Sequence, residues 1–243
     1  MPYQLLNLEE AARYLHLTNA DVEQRVKDRE IPFEKRGDRV VFRKRDIDAW
    51  ASQHILGLNK QRLAEYHGKS TRGTREFLPH EAILSEMLRR GAVNSAMTSK
   101  TKSSVLRDLV ALAEKTGQLA DPKELLESLE AREELCSTAL PGGLAIPHPR
   151  FHQPYIFASS FVVVGRPVQE IHFGSPDGKP TDLIFLLCCQ DDRMHLHTLS
   201  RICLMAQKTE MLSQLRAAPD ATAMRECIIA AEQGVLAERK PPY

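Results

Sequence analysis
The chain lacks a long hydrophobic run. Its longest, Leu183 to Cys189, is far short of the ~20 apolar residues that a membrane helix needs, which argues against membrane insertion. It lacks a cationic-then-apolar leader too: MPYQLLNLEEAARYL carries acids and an early proline, so a cytoplasmic protein is expected. Five cysteines (Cys136, Cys188, Cys189, Cys203 and Cys227) form no C-x-x-C pair, which signals neither a disulfide framework nor a zinc ribbon; reduced, mostly buried thiols are expected. The absence of a G-x-S-x-G turn weighs against a Ser-His-Asp hydrolase. Aromatic residues make up only 6%, with one tryptophan, and neither sign of charge dominates, the net being +1.

What is present is an ordinary globular composition, 42% hydrophobic and 27% charged. At 243 residues it predicts two domains. The charge is unevenly placed: residues 1–75 hold 15 Lys plus Arg against 11 Asp plus Glu, net +4, and the rest hold 18 against 21, net −3. The halves therefore read as modules with different partners, and the basic front permits nucleic-acid binding without proving it.

At the front, NLEEAARYLHLTNADVEQRVKDREI reads as two short helices joined by HLT. Asn7 with Glu10 and Thr18 with Asp21 have capping-box spacing, and Leu8, Ala11, Ala12 and Leu15 form an apolar stripe. Pro32 stops the second helix; FEKRGDRVVFRKRD then gives two extended runs meeting at Gly37 and Asp38, a hairpin tip studded with arginines. A third helix follows, with Ile47, Trp50 and Ile55 as apolar positions and the tryptophan as core anchor. This order of helix pair, basic hairpin and terminal DIDAW resembles the excisionase and MerR-type winged-helix DNA-binding domains over residues 3–55. The resemblance implies that Asn19, Gln24, Arg25 and Lys27 contact DNA from the second helix and Arg36, Arg39 and Arg43 from the wing. Modules of this kind also bind proteins, and a basic hairpin is equally read as a solvated face.

In GLNKQRLAEYHGKSTRGTREFLP, Lys60 to Tyr66 could extend a helix, but HGKSTRGT has glycines and small polar residues without an apolar face, and the stretch reads as a linker that lets the front module dimerise or swing. The expected division is 1–56, a linker over 57–78, a large domain over 79–236 and a tail over 237–243. In the large domain, HEAILSEMLRRG, TKSSVLRDLVALAEKTG and DPKELLESLEAREEL read as helices, the last capped by Asp121. YIFASSFVVVG and TDLIFLLCC are buried strands, and three more helices follow. The predicted fold is α/β, a three-layer sandwich whose mixed sheet has helices on both faces, preceded by the small winged helix.

Between the third helix and the strands lies STALPGGLAIPHPR. A histidine that accepts a phosphoryl group needs a presented neutral ring nitrogen, a fixed ring and donors for the phosphoryl oxygens. Gly142 and Gly143 allow a turn or close approach, and Pro147 restricts Ile146 to extended geometry, framing His148. Arg132, 16 residues upstream, can fork to phosphoryl oxygens, and His195 opens a helix after the second strand where free amides could also face the site. Ser137 and Thr138 either bind phosphate or terminate the helix. His195 and His197 point apart on a helix and no third ligand is suitably spaced, so no metal is expected.

REELCSTALPGGLAIPHPR followed by DLIFLLCCQDDRMHLHTLS resembles the type-2 enzyme IIA domains of the bacterial phosphoenolpyruvate-dependent phosphotransferase system, the fructose, mannitol and nitrogen-regulatory branch, over residues 79–235. The resemblance implies that His148 takes phosphate from the phosphocarrier HPr or its nitrogen-branch relative, with Arg132 and His195 beside it and no cofactor. Cys136 replaces the usual glycine and Pro149 the usual small residue, departures that bear on the partner-facing surface. Two functions follow from the resemblance: a regulator coupling phosphorylation of His148 to DNA binding, or a phosphocarrier serving a separate sugar-specific enzyme IIB.

Overall fold
The computed structural model describes residues 5–74, 83–149 and 155–237. In the front unit, β1 (Leu5–Leu6) leads into α1 (Leu8–Tyr14), α2 (Asn19–Lys27), β2 (Glu34–Arg36), β3 (Arg39–Arg43) and α3 (Lys44–Leu56). Both expected capping boxes form. The Asn7 side chain accepts from the Glu10 amide while Glu10 accepts from the Asn7 amide, and Thr18 and Asp21 do the same at α2. The three strands form an antiparallel sheet in the order β1-β3-β2, with Gly37 supplying the left-handed backbone (φ 60) that the β2–β3 turn needs. Phe42, Val22, Ile47 and Ile55 make its core. Trp50 is only half-buried; it stacks on His54 at 4.8 Å with the Arg25 guanidinium over its ring, so the anchoring falls to Phe42 and Ile47.

Residues 60–74, read as part of a linker, form a helix, α4 (Lys60–Thr74), which packs on α8 (Asp192–Lys208). Leu63 and Tyr66 bury their apolar bulk, and His67 and Ser70 bury polar groups that α8 satisfies.

The large unit continues through α5 (Leu84–Met87), β4 (Val93–Met97), α6 (Lys102–Glu114), α7 (Pro122–Leu135), β5 (Ala139–Leu140), β6 (Leu144–Ala145), β7 (Phe161–Pro167), β8 (Leu183–Cys188), α8, α9 (Met211–Ala217) and α10 (Ala221–Ala237). The helix expected over HEAILSEMLRRG lies partly outside the described residues; within them it is the single turn α5. The tail lies almost wholly outside them as well.

The sheet order is β4-β7-β8-β6-β5, with β4–β7 and β6–β8 parallel and the other pairs antiparallel. The alternation of β7 and β8 divides the core. Phe161, Val163, Ile184 and Leu186 meet Val105 and Leu109 of α6 and Leu125 and Leu129 of α7. Val162, Val164, Phe185 and Leu187 meet Leu199 and Ile202 of α8 and Met224 and Ile228 of α10. This is the expected three-layer arrangement. The second cluster runs without a break through Leu63 of α4 into Ile55 and Ile47 of α3, so the front unit shares a core with the large one. No helix among the described residues is long and apolar enough to cross a membrane.

Candidate functional site
The local sequence brings three strand and helix ends together. Asp121 accepts from the Glu124 amide and Pro122 sits in the first turn, so α7 starts firmly and carries Arg132 in its last turn. Glu133 then ties the exit of that helix: its carboxylate accepts from the Thr138 amide at 3.0 Å and the Thr138 hydroxyl at 2.7 Å, and pairs with Lys102 at 2.8 Å. The β5–β6 hairpin turns through Gly142 (φ 90) and Gly143 (φ 82). A Cβ on Gly143 would meet Arg216 Nη2 and Asp182 Oδ1, each at 2.6 Å, so the turn accepts no side chain there. Arg216 also donates to the Gly142 carbonyl at 2.6 Å, clamping the turn from α9. Beyond β6 the Pro147 carbonyl accepts from the Leu187 amide at 2.9 Å, which extends the pairing with β8 as far as His148.

His148 is 2% exposed. Its Nδ1 lies 2.9 Å from the Ile146 carbonyl, an acceptor, so Nδ1 carries the proton and Nε2 the lone pair. Arg132 Nε donates to that Nε2 at 3.1 Å, and Arg132 Nη1 donates to the Cys136 carbonyl at 2.9 Å. Arg132 Nη2 is buried with no acceptor among the described residues. Burial lowers the Arg132 pKa, opposed by the negative charges of Glu133 and Asp48 and by the Cys136 thiol. The His195 ring stands 4.7 Å from the His148 ring, centroid to centroid, tilted by 48°. His195 is fully enclosed, and its Nε2 lies 3.2 Å from the Ser52 hydroxyl of α3.

Arg132, His148 and His195 thus converge. Ser137 and Thr138 lie on the chain between them with their hydroxyls engaged elsewhere: Ser137 donates to the Phe173 carbonyl at 2.8 Å, and Thr138 to Glu133. The first-turn amide of α8 expected to face the site is capped instead, with Met194 N donating to the Asp191 carboxylate at 2.9 Å. His197 points away from His195, bonding Ser70 at 3.0 Å and stacking on His67. Among the described residues no three His, Cys, Asp or Glu side chains gather to hold a metal. Cys188, Cys189 and Cys203 are buried, and burial pushes the Cys203 thiol up to about 12; Cys136 is exposed. Sequence reasoning did not bring Ser52 and Asp48 to this place, because α3 is 143 residues from His195 along the chain and read only as front-module core.

On the front unit, Asn19, Gln24, Lys27, Arg36 and Arg39 are exposed. Gln24 donates to Asp28. Arg25 pairs with Glu30 at 2.8 Å; Arg43 and, at 3.8 Å, Arg36 pair with Glu34.

Comparison with known proteins finds two matching domain models in the chain. Residues 5–55 match a helix-turn-helix domain model. The chain is 33% identical over 144 residues to a nitrogen regulatory protein of Bradyrhizobium diazoefficiens, covering 58% of this chain and 91% of that one. It is 29% identical over 147 residues to the fructose-specific EIIABC component of Bacillus subtilis, of which it spans only 23%. Among solved structures, the nitrogen regulatory protein IIA-Ntr of Neisseria meningitidis matches with a TM-score of 0.54 at 26% identity, over 60% of this chain and 99% of that one. The mannitol IIA of Escherichia coli shares the fold, with a TM-score of 0.52 at 17% identity over 58% and 98% of the two chains. Residues 86–231, more than half of its length, match the model of the phosphoenolpyruvate-dependent sugar phosphotransferase system EIIA 2 family, and the chain belongs to that family.

Proposed function
We propose that His148 accepts a phosphoryl group on Nε2 from a phosphohistidine carrier of the HPr type or its nitrogen-branch relative, and that its phosphorylation state is conveyed to DNA through the front module. The observation that carries this reading is the tautomer. With Nδ1–H donated to the Ile146 carbonyl, the Nε2 lone pair is presented toward Arg132 in a fixed orientation. In the transfer, that lone pair forms the new N–P bond while the N–P bond to the carrier's imidazole breaks and its electrons return to the carrier's ring. The proton stays on Nδ1, hydrogen-bonded to the Ile146 carbonyl. Arg132 Nε is displaced from the attacked nitrogen and, with the unengaged Nη2, turns to the phosphoryl oxygens. His195 stands beside the incoming group. DNA coupling is supported by the helix-turn-helix match and by the exposed cations of α2 and the wing.

Incubation with phosphoenolpyruvate, enzyme I and HPr tests the acceptor. An acid-labile phosphoryl adduct is expected on the wild type and none on His148→Ala; labelling retained in that variant refutes the assignment.

A further inference from the structure
The front unit rests on the proposed acceptor site. α3 lies across the start of α8: the Ser52 hydroxyl meets His195 Nε2 at 3.2 Å, and Lys44 is ion-paired with Asp192. Between these two, Asp48 is buried, accepts from the Tyr14 hydroxyl at 2.7 Å, and acts with its negative charge on both Arg132 and Lys44. Ser52 is itself buried, as are His195, which it meets, and His148. A carrier must bring its phosphorus to about 3 to 3.5 Å from the attacked nitrogen. While α3 is docked, Ser52 stands at His195 and the negative charge of Asp48 acts on Arg132, the two groups beside which a phosphoryl group on His148 would sit.

We propose that α3 is an autoinhibitory plug: docking of the front module and phosphorylation of His148 exclude one another. The proposal rests on the reading of His148 as acceptor. The electrostatics run in one direction. A phosphoryl group adds roughly two negative charges beside Arg132, on which the buried Asp48 already acts where water screens little. The charge of Asp48 acts on Arg132 in the docked state, and the phosphoryl group would meet the same guanidinium in the modified one. Of the contacts α3 gives up, Ser52 to His195 and Lys44 to Asp192 are polar pairs that water replaces at small cost, while the apolar seam of Ile55 on Leu63 opposes undocking. α4 stays behind, because His67 accepts from Arg201 at 2.7 Å inside the body. The turn Gly57–Asn59 between α3 and α4 is then the hinge. By linkage, the factor by which docking disfavours the phosphorylated state is the factor by which phosphorylation disfavours docking.

Two variants loosen the plug from opposite ends, Ser52→Trp by bulk and Lys44→Glu by repulsion from Asp192, with circular dichroism confirming that each is folded. Two readouts apply to both and to the wild type. The first is modification of His148 by diethylpyrocarbonate, which needs no carrier: His148 is expected to be protected in the wild type and reactive in the variants. The second is the initial rate of phosphoryl transfer from phosphorylated HPr, expected to rise roughly 5- to 150-fold in the variants, the usual span of coupling between sites. A spin-label distance between Lys27→Cys on α2 and Arg107→Cys on α6 is expected to lengthen when His148 is phosphorylated. Equal modification and equal transfer rates in all three proteins, or phosphorylation with an unchanged distance, overturn the plug while leaving the acceptor reading intact. A His148 that is exposed in the variants yet never takes phosphate overturns the acceptor reading and the plug with it.

Discussion

Arg132 sends its nitrogens to different tasks: Nε to His148, Nη1 to the Cys136 carbonyl, and Nη2 buried with no acceptor among the described residues. A lysine carries the charge but has one nitrogen, so it cannot hold the loop carbonyl and meet the phosphoryl oxygens together. Arg132→Lys is therefore expected to slow labelling of His148 by about 100-fold, the scale seen when one preorganised donor is lost, with little loss of secondary structure. Stopped-flow or quenched labelling measures the first and circular dichroism the second; labelling within a factor of about three of wild type would assign Arg132 to packing alone. At this scale the sequence is legible where a residue's chemistry is rare in its context. An arginine ending a helix and a histidine framed by prolines both stand out. Ser137 and Thr138 do not declare their partners, because Glu133 and the Phe173 carbonyl become neighbours only in the fold.

α4 shows why an element can be half legible: Lys60 to Tyr66 reads as able to extend a helix, and the rest of it does not. Its helical face toward α8 carries His67 and Ser70, polar residues that read as solvent-facing until Arg201 and His197 are set opposite them. β4 hides for a related reason: four of its five residues are at least partly exposed at the sheet edge, so no apolar run marks it. β7 and β8, buried on both faces, are plain in the sequence. The Arg201 that anchors α4 also donates to Glu232 of α10 at 2.7 Å, with both side chains buried, and Glu232 accepts from the Ile83, Leu84 and Ser85 amides. Burial raises the Glu232 pKa, opposed by Arg201 and those amides. Glu232→Ala leaves a buried guanidinium and the amides without their acceptor. The expected cost is about 3 to 5 kcal/mol in urea unfolding. A loss below about 1 kcal/mol would mean that the network adds little and that apolar packing alone holds α4 on the body.

Across the whole molecule, net charge +4 in residues 1–75 and −3 in the rest place the cations where the helix-turn-helix lies. The docked surface is α3, while α2 and the β2–β3 turn carry exposed cations, so docking leaves the residues proposed for DNA contact uncovered. Those cations are unequal. Lys27 and Arg39 are exposed, whereas Arg25 and Arg43 are already paired with Glu30 and Glu34. A cation that neutralises a DNA phosphate releases a counterion, and each one lost lowers the slope of log K against log salt by about 0.9. A cation already neutralised by a carboxylate changes that slope less. The Lys27→Ala, Arg39→Ala double variant is thus expected to flatten the slope by about two units on a random-sequence duplex. Arg25→Ala, Arg43→Ala is expected to flatten it by less than half as much. Fluorescence anisotropy titrations between 50 and 200 mM salt separate the two. Equal slopes in both double variants would show that the carboxylates let go on binding, and a flat wild-type response would remove DNA as the partner of this face.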